Sequence, residues 1–197
     1  MANPPILHHR KSIRLKGYDY SQAGLYFITI IVQNRVCLFG HIGGASVGAN
    51  NDSPLPAPQM ILNDAGHIAN QCWLDIPKHF PNVVLHEFII MPNHVHGIIE
   101  LVGVGANNDS PMNTRSIVRA NGDSPLRSPS KTIGSIVRGY KIGVTKWFRS
   151  TGHMGKIWQR NYWEHIIRDE KSYCRISEYI KNNPQNWKKG RTIHRGE

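Results

Sequence analysis

His94 and His96 stand two residues apart in the run Met91-Pro-Asn-His-Val-His-Gly-Ile-Ile-Glu100. On a β-strand, side chains i and i+2 share a face, so both imidazoles point the same way and Val95 packs on the reverse side. Spaced about 7 Å along the strand, two imidazoles can converge on one cation. An isolated His-x-His pair equally describes two ordinary histidines on a half-exposed strand. This pair differs in its setting: Pro92-Asn93 is a turn signal, which puts the histidines at the mouth of a hairpin. The second chemical resource is phenolic, with seven tyrosines in the chain. A phenol titrates near pH 10 and is a poor nucleophile at neutral pH without help from a neighbouring charge. Two tyrosines are placed for attention. Tyr179 flanks an apolar stripe of Tyr173, Ile176 and Ile180 at i, i+3, i+7 spacing, where a phenol can reach a cleft or simply be a boundary tyrosine with a wet hydroxyl. Tyr140 lies among the basic residues Arg138 and Lys141 and reads more readily as a core aromatic.

These side chains need elements to position them. Tyr26 to Val32 (YFITIIV) is rich in β-branched and aromatic residues and predicts a strand, with Arg35 to Gly40 returning as its hairpin partner. From Asn63 to Ile76, Ala65, Ile68, Ala69, Cys72, Trp73 and Ile76 fall at helical spacing. Asn63 can cap that helix and Pro77 mark its end. Val83 to Met91 and His94 to Val102 predict the two strands of the histidine hairpin. Ile133 to Phe148 predicts a helix with one broad apolar face, and Ile157 to Ile167 an aromatic strand. Asp169 to Asn182 predicts a last helix, capped by Asp169 and stopped by Pro184. The order β-α-β-β-α-β-α predicts an α+β fold: a ferredoxin-like, split βαβ antiparallel sheet with helices on one face, plus a C-terminal helix.

Residues 43–59 and 103–130 interrupt this plan. Both are rich in Gly, Asn, Ser and Pro, and Gly48-Ala-Asn-Asn-Asp-Ser-Pro54 recurs at Gly105 to Pro111, with a variant at Ala120 to Pro125. No fixed period or hydrophobic face accompanies the repeat, which excludes a solenoid and predicts surface insertions. The expected organisation is one domain over residues 1–190, carrying these insertions, and a basic tail at 191–197.

Composition bounds the class. Of the 197 residues 40% are hydrophobic, enough for a packed core. Lys and Arg number 24 against 13 Asp and Glu, a formal charge of +11 that suits a polyanionic partner, of which nucleic acid is the commonest. The three cysteines, Cys37, Cys72 and Cys174, have no CxxC spacing and suit a reducing cytosol. No apolar run spans a membrane and the N-terminus lacks a signal-peptide core, so the expected location is cytoplasmic, where a nucleic-acid-binding protein would associate with the bacterial nucleoid.

Phe88-Ile-Ile-Met-Pro-Asn-His-Val-His-Gly-Ile-Ile99 resembles the HUH motif of single-tyrosine transposases, and the REP-associated tyrosine transposase branch in particular. That branch also has blocks like Ile157-Trp-Gln-Arg-Asn-Tyr-Trp-Glu-His165, Tyr179-Ile-Lys-Asn-Asn-Pro184, Arg14-Leu-Lys-Gly-Tyr-Asp-Tyr20 and Tyr26-Phe-Ile-Thr29. The resemblance spans roughly residues 10–190 outside the two insertions, which depart from the family's compact pattern. It implies a palm-like sheet, cleavage of single-stranded DNA beside a hairpin, a transient 5′-phosphotyrosine link and a divalent ion, Mg²⁺ or Mn²⁺. It assigns the nucleophile to Tyr179 and the metal to His94 and His96. A polar residue one turn after the tyrosine completes the metal site in related enzymes, commonly Gln. Here it is the shorter Asn183, expected on the same helical face as Tyr179. Both dimers and monomers occur among such enzymes, so a homodimer is one of two states the resemblance allows.

Around this centre, Glu164 and His165 fall on opposite faces of the aromatic strand, so at most one can orient a ligand or shuttle a proton, and a solvent-facing salt bridge is an equal reading. Arg14, Lys16, Arg138, Lys141, Arg160 and Lys188, beside Trp158, Tyr162, Trp163 and Trp187, form the expected DNA surface, where bases stack on rings and phosphates meet cations. Two other functions stay open on the residues alone: a non-catalytic nucleic-acid-binding protein, and a metal-dependent nuclease that makes no covalent link.

Overall fold

The computed structural model describes residues 18–44, 57–103 and 132–187. The expected basic residues Arg14, Lys16 and Lys188, the greater part of both insertions, and the 191–197 tail lie outside the described residues.

Four strands form one antiparallel sheet: β1 (Gly24–Ile31), β4 (Val83–Met91), β5 (His94–Leu101) and β6 (Trp163–Ile167), in the order β4-β5-β1-β6. This is the strand order of the split βαβ plan. Helices α1 (Asp64–Leu74), α2 (Ile76–His79) and α3 (Ile133–Ser150) and the terminal helix α4 (Glu170–Lys181) complete it. Among the described residues, no helix is long and apolar enough to cross a membrane.

Alternation along the strands divides the sheet into two faces. Tyr26, Ile28 and Ile30 of β1 and Val95 and Ile99 of β5 are fully buried in the main core with Trp73 of α1 and Ile136, Tyr140 and Val144 of α3. On the reverse face Ile98 of β5 and Ile167 of β6 pack with Ile176 and Ile180 of α4, and Phe27, Tyr173 and Tyr179 flank that smaller cluster. The helix starts follow their caps. Asn63 accepts from the Gly66 N–H, Thr132 and Ser135 form a reciprocal capping box, and Asp169 accepts from the Ser172 N–H.

Three expectations are corrected. Arg35 to Gly40 does not return beside β1: Gln33–Arg35 is a 3-10 turn, and β2 (Gly40–Gly43) pairs with β3 (Gln59–Leu62) in a separate hairpin that spans the first insertion. Pro77 does not end α1 but sits in the first turn of α2, where its missing N–H is harmless. The aromatic strand begins at Trp163 rather than Ile157. Before it, Trp158 makes only an isolated bridge to Val32, and the Lys141 ammonium donates to the carbonyls of Gln159 and Asn161 at 2.9 Å each, so this stretch finds hydrogen bonds without a ladder.

Candidate active site

The hairpin turn fixes the histidines before any ligand arrives. Pro92-Asn93 joins β4 to β5 with Met91 opposite His94. Neither residue has a positive φ, so this is not the primed turn that two-residue hairpins favour. Contacts to the segment after β1 compensate. The Val32 N–H donates to the Asn93 carbonyl (2.9 Å), the Phe39 N–H to the Pro92 carbonyl (3.1 Å), and the Asn93 amide Nδ2 to the Arg35 carbonyl (3.1 Å). The last contact decides a tautomer. With Nδ2 committed to Arg35, Asn93 turns Oδ1 toward His94 Nδ1 at 2.8 Å, so Nδ1 carries the proton and Nε2 a lone pair.

His96 is held in parallel fashion from the neighbouring strand. Thr29 lies directly across the β1–β5 ladder from it, and Thr29 Oγ1 is 2.8 Å from His96 Nδ1. Thr29, His94 and His96 are all at least 95% buried (5%, 2% and 3% exposed). The two imidazole centroids lie 4.4 Å apart with planes at 70°, much closer than strand spacing alone implies. Phe27 stacks on His96 at 5.3 Å and Trp187 on His94 at 5.9 Å, both with planes 28° apart.

Helix α4 brings the phenol. Tyr179 Oη is 3.3 Å from His96 Nε2, and the rings stand 5.3 Å apart. A consistent arrangement has the Tyr179 hydroxyl donating to Nε2 while Nδ1–H donates to Thr29 Oγ1. Phe27 meets Tyr179 edge-on at 6.2 Å and so touches both rings. The chain thus brings together His94, His96 and Tyr179, from two elements 83 residues apart.

No protein-family model matches the chain. A Haemophilus influenzae protein described only as uncharacterized is 50% identical over 182 residues, covering 92% of this chain and 91% of its own. A second protein from the same organism, described as a putative REP-associated tyrosine transposase, is 24% identical over 84% of this chain and 73% of its own. The solved structure of a REP-associated tyrosine transposase bound to a REP hairpin superposes with a TM-score of 0.52 at 19% identity, covering 88% of this chain and 73% of that one. The chain is similar in sequence and in fold to REP-associated tyrosine transposases. It shares the fold of that hairpin-bound structure, here an α+β arrangement with α4 on the sheet face that carries the histidines.

The donor set fits a divalent ion of the kind the resemblance implies. Imidazoles that bind metal through Nε2 commonly donate Nδ1–H to a fixed oxygen, which is what Asn93 and Thr29 provide. Among the described residues no cluster of three or more His, Cys, Asp or Glu side chains exists, so a third ligand would be an amide, water or phosphate oxygen. Asn183 is 7% exposed, but it lies one residue past the Asn182 C-cap of α4, so the expected sharing of a helical face with Tyr179 does not follow from helix geometry.

Other expected residues are distributed over both faces. Facing Phe27 across the ladder, His165 shares the site's face, and so does Trp163, facing Thr29. Glu164 faces Ile28 and belongs to the core side, which removes it from the neighbourhood of the histidine pair. Tyr140 is buried in the main core with its ring edge-on to Trp73, across the sheet from the histidines, and burial pushes its phenol well above the ordinary range. Arg138 and Lys141 belong to α3 on that same far side. Lys141 is part-buried, its ammonium lowered to about 8 by desolvation and committed to two carbonyls, so its role is to brace residues 159–161. Arg160 is exposed on that braced segment. A groove of about 650 Å³ opens between the β2–β3 hairpin and the segment after α4, with His41, Ile42, Pro92 and Trp187 on its walls. Thr29, Asn93 and Phe27 were not among the expected site residues, although Thr29 is the lone polar residue in YFITIIV.

Proposed function

We propose that this chain is a metal-dependent enzyme that nicks single-stranded DNA and transfers the cut strand through a 5′-phosphotyrosine at Tyr179, that is, an HUH-type transposase. The observation that carries this reading is the 3.3 Å approach of Tyr179 Oη to His96 Nε2, beside a second imidazole oriented by its own oxygen partner. A Mg²⁺ or Mn²⁺ ion bound by His94 and His96, with the Asn183 amide as a third donor, would offset charge on a scissile phosphate. Two imidazoles favour Mn²⁺ over Mg²⁺. Tyr179 Oη then attacks phosphorus, an O–P bond forms, the bond to the 3′ oxygen breaks, and the phenol's proton leaves by way of a base or solvent. The phosphodiester's energy stays in the tyrosyl ester, so another 3′-hydroxyl can displace Tyr179 and rejoin the strand without ATP. Phe27 and Trp187, stacked on the two imidazoles, limit water at the reacting centre.

The hairpin-bound solved structure supports a hairpin as the DNA, and the charge of +11 suits such a polyanion. The groove beside Trp187 offers unpaired nucleotides a route to the histidines. The test is a denaturing gel with 3′-labelled single-stranded hairpin DNA and Mn²⁺. A protein-linked fragment that disappears in Tyr179→Phe is the expected result. Cleavage without a link would make the chain a hydrolase, and binding without cleavage a DNA-binding module.

A further inference from the structure

The seat of α4 on the sheet is slight. Among the described residues, its buried apolar contact is Ile176 and Ile180 against Ile98 and Ile167, with Leu25, Phe27 and Ile89 partly buried around them, and the buried Ser177 hydroxyl of the same helix finds no hydrogen-bond partner. So thin an apolar contact leaves the helix free to shift or roll unless polar contacts fix it. Besides the Tyr179–His96 contact itself, such contacts among the described residues come from one irregularity. The β4–β5 register slips between Leu85 and Phe88, so His86 and Glu87 together occupy the place of one residue opposite Ile98. Such a bulge re-aims side chains that strict alternation would send to opposite faces.

Both bulge residues reach α4. His86 Nε2 lies 2.8 Å from Glu100 Oε2 on β5, and His86 Nδ1 lies 3.1 Å from the Tyr173 hydroxyl on α4. With Nε2–H donating to the carboxylate, Nδ1 accepts from the phenol, so a single tautomer satisfies both contacts. The rings of His86 and Tyr173 meet edge-on at 5.6 Å. Glu87 Oε1 pairs with Lys181 Nζ at 3.0 Å. Tyr173 and Lys181 are separated by two turns of helix, about 12 Å along the axis, and Tyr179 lies between them.

We infer that the β4 bulge is a two-point clamp, with His86 on Tyr173 and Glu87 on Lys181, that sets the height and roll of α4 and thereby the approach of Tyr179 to His96. His86, Glu87, Tyr173 and Lys181 are positioning residues, acting on the reaction only through Tyr179. The proposal rests on the reading of Tyr179 as nucleophile for its effect on chemistry, but not for its effect on the helix. The experiment therefore reads both in the full chain. Amide hydrogen exchange over Glu170–Lys181 is compared in wild type, Tyr173→Phe with Glu87→Gln, and the swapped pair Glu87→Lys with Lys181→Glu. In the Tyr173→Phe, Glu87→Gln variant, α4 exchange is expected to speed up at least about 5-fold, the worth of one ordinary hydrogen bond, while the sheet and the melting temperature hold. Single-turnover formation of the DNA link should slow by a similar factor with hairpin-DNA affinity unchanged, and the swapped pair should regain most of the wild-type rate. Unchanged exchange in the double variant overturns the clamp whatever the activity, as does slower linking that weaker DNA binding alone accounts for. Faster exchange in a protein whose wild type links no DNA supports the clamp and refutes the nucleophile.

Discussion

Replacing Thr29 by Val keeps the shape of the side chain and removes the oxygen that meets His96 Nδ1 at 2.8 Å. Thr29 and His96 are 5% and 3% exposed, so water cannot readily take the hydroxyl's place. A buried N–H stripped of its acceptor costs about 1–3 kcal/mol, and the variant should lose about that much stability in urea. With its acceptor gone, the imidazole can also rotate or adopt the other tautomer. Loss of such an orienting partner lowers metal affinity about 10–100-fold, equivalent to about 1.4–2.7 kcal/mol. Two titrations measure this: Mn²⁺ binding by calorimetry, and formation of the DNA–protein link as a function of Mn²⁺. The Val variant should need correspondingly more Mn²⁺ and recover most of its rate at saturation, while Thr29→Ser, which keeps the hydroxyl, stays near wild type. If Thr29→Val binds Mn²⁺ within about twofold of wild type, the hydrogen bond does not orient a metal ligand, and the assignment of His96 through Nε2 fails.

Three further outcomes follow from the geometry. A Cβ on Gly97 would sit 2.3 Å from Trp73 Cζ2 and 3.0 Å from Phe88 Cβ, so Gly97→Ala should cost about 1–3 kcal/mol by overpacking and displace the strand that carries His96; chemical denaturation checks the first effect and Mn²⁺ affinity the second. Burial lowers Lys141 to about 8 from 10.5: between those values the unfolded chain holds a proton the folded chain has released, so wild-type stability should rise with pH relative to Lys141→Met. The ceiling is about 1.4 kcal/mol per pH unit, reduced by the solvent that still reaches the side chain, and a stability gap that is constant from pH 8 to 10 would contradict the desolvation. Binding to single-stranded DNA should weaken with salt at a log–log slope near −4 if about six phosphates are contacted, and a flat response in a filter-binding series would remove the polyanion reading.

Strong periodicity made the helices and the central strands legible. The 3.6-residue pattern of α1, α3 and α4 and the capping residues Asn63 and Asp169 stand in the sequence almost as they stand in the fold. The β2–β3 hairpin was hidden because its strands are only four residues each and lie on either side of an insertion. Ile157 and Trp158 looked like strand residues for a different reason. They are apolar because they pack in the core, while their backbone is satisfied by the end of β1, through Gln33 N–H to the Ile157 carbonyl and Gln159 N–H to the Ile31 carbonyl. At the site, the direction of His94 and His96 followed from strand alternation, but their partners did not. Asn93 carried a turn signal that masked its second task, and Thr29 became a partner only through the antiparallel register. The bulge left a trace in His86-Glu87, two successive polar residues in an otherwise apolar strand, where alternation would place one inside.

The division of the sheet into two faces separates what keeps this chain folded from what lets it react. Among the described residues, twenty-two buried side chains make the core on the α1–α3 face, against four in the cluster beneath α4. Most of the apolar stabilisation therefore lies opposite the histidines, and strand alternation transmits it to them: Val95 is locked in the core while His94 and His96, one residue either side, project the other way. A one-residue slip of β5 would turn both imidazoles into that core, so the same burial that stabilises the sheet fixes the direction of the two histidines. The proposed nucleophile is under no such constraint. Tyr179 rides on a helix held by a small apolar seat and a few polar contacts, whose opening should take much less free energy than global unfolding. Substitutions under α4 should accordingly change the rate of chemistry well before they change melting, whereas those around Trp73 should do the reverse. If the chain transfers strands as proposed, releasing one DNA end and accepting another on Tyr179, a rigid histidine pair and a phenol that can move relative to it would serve that cycle.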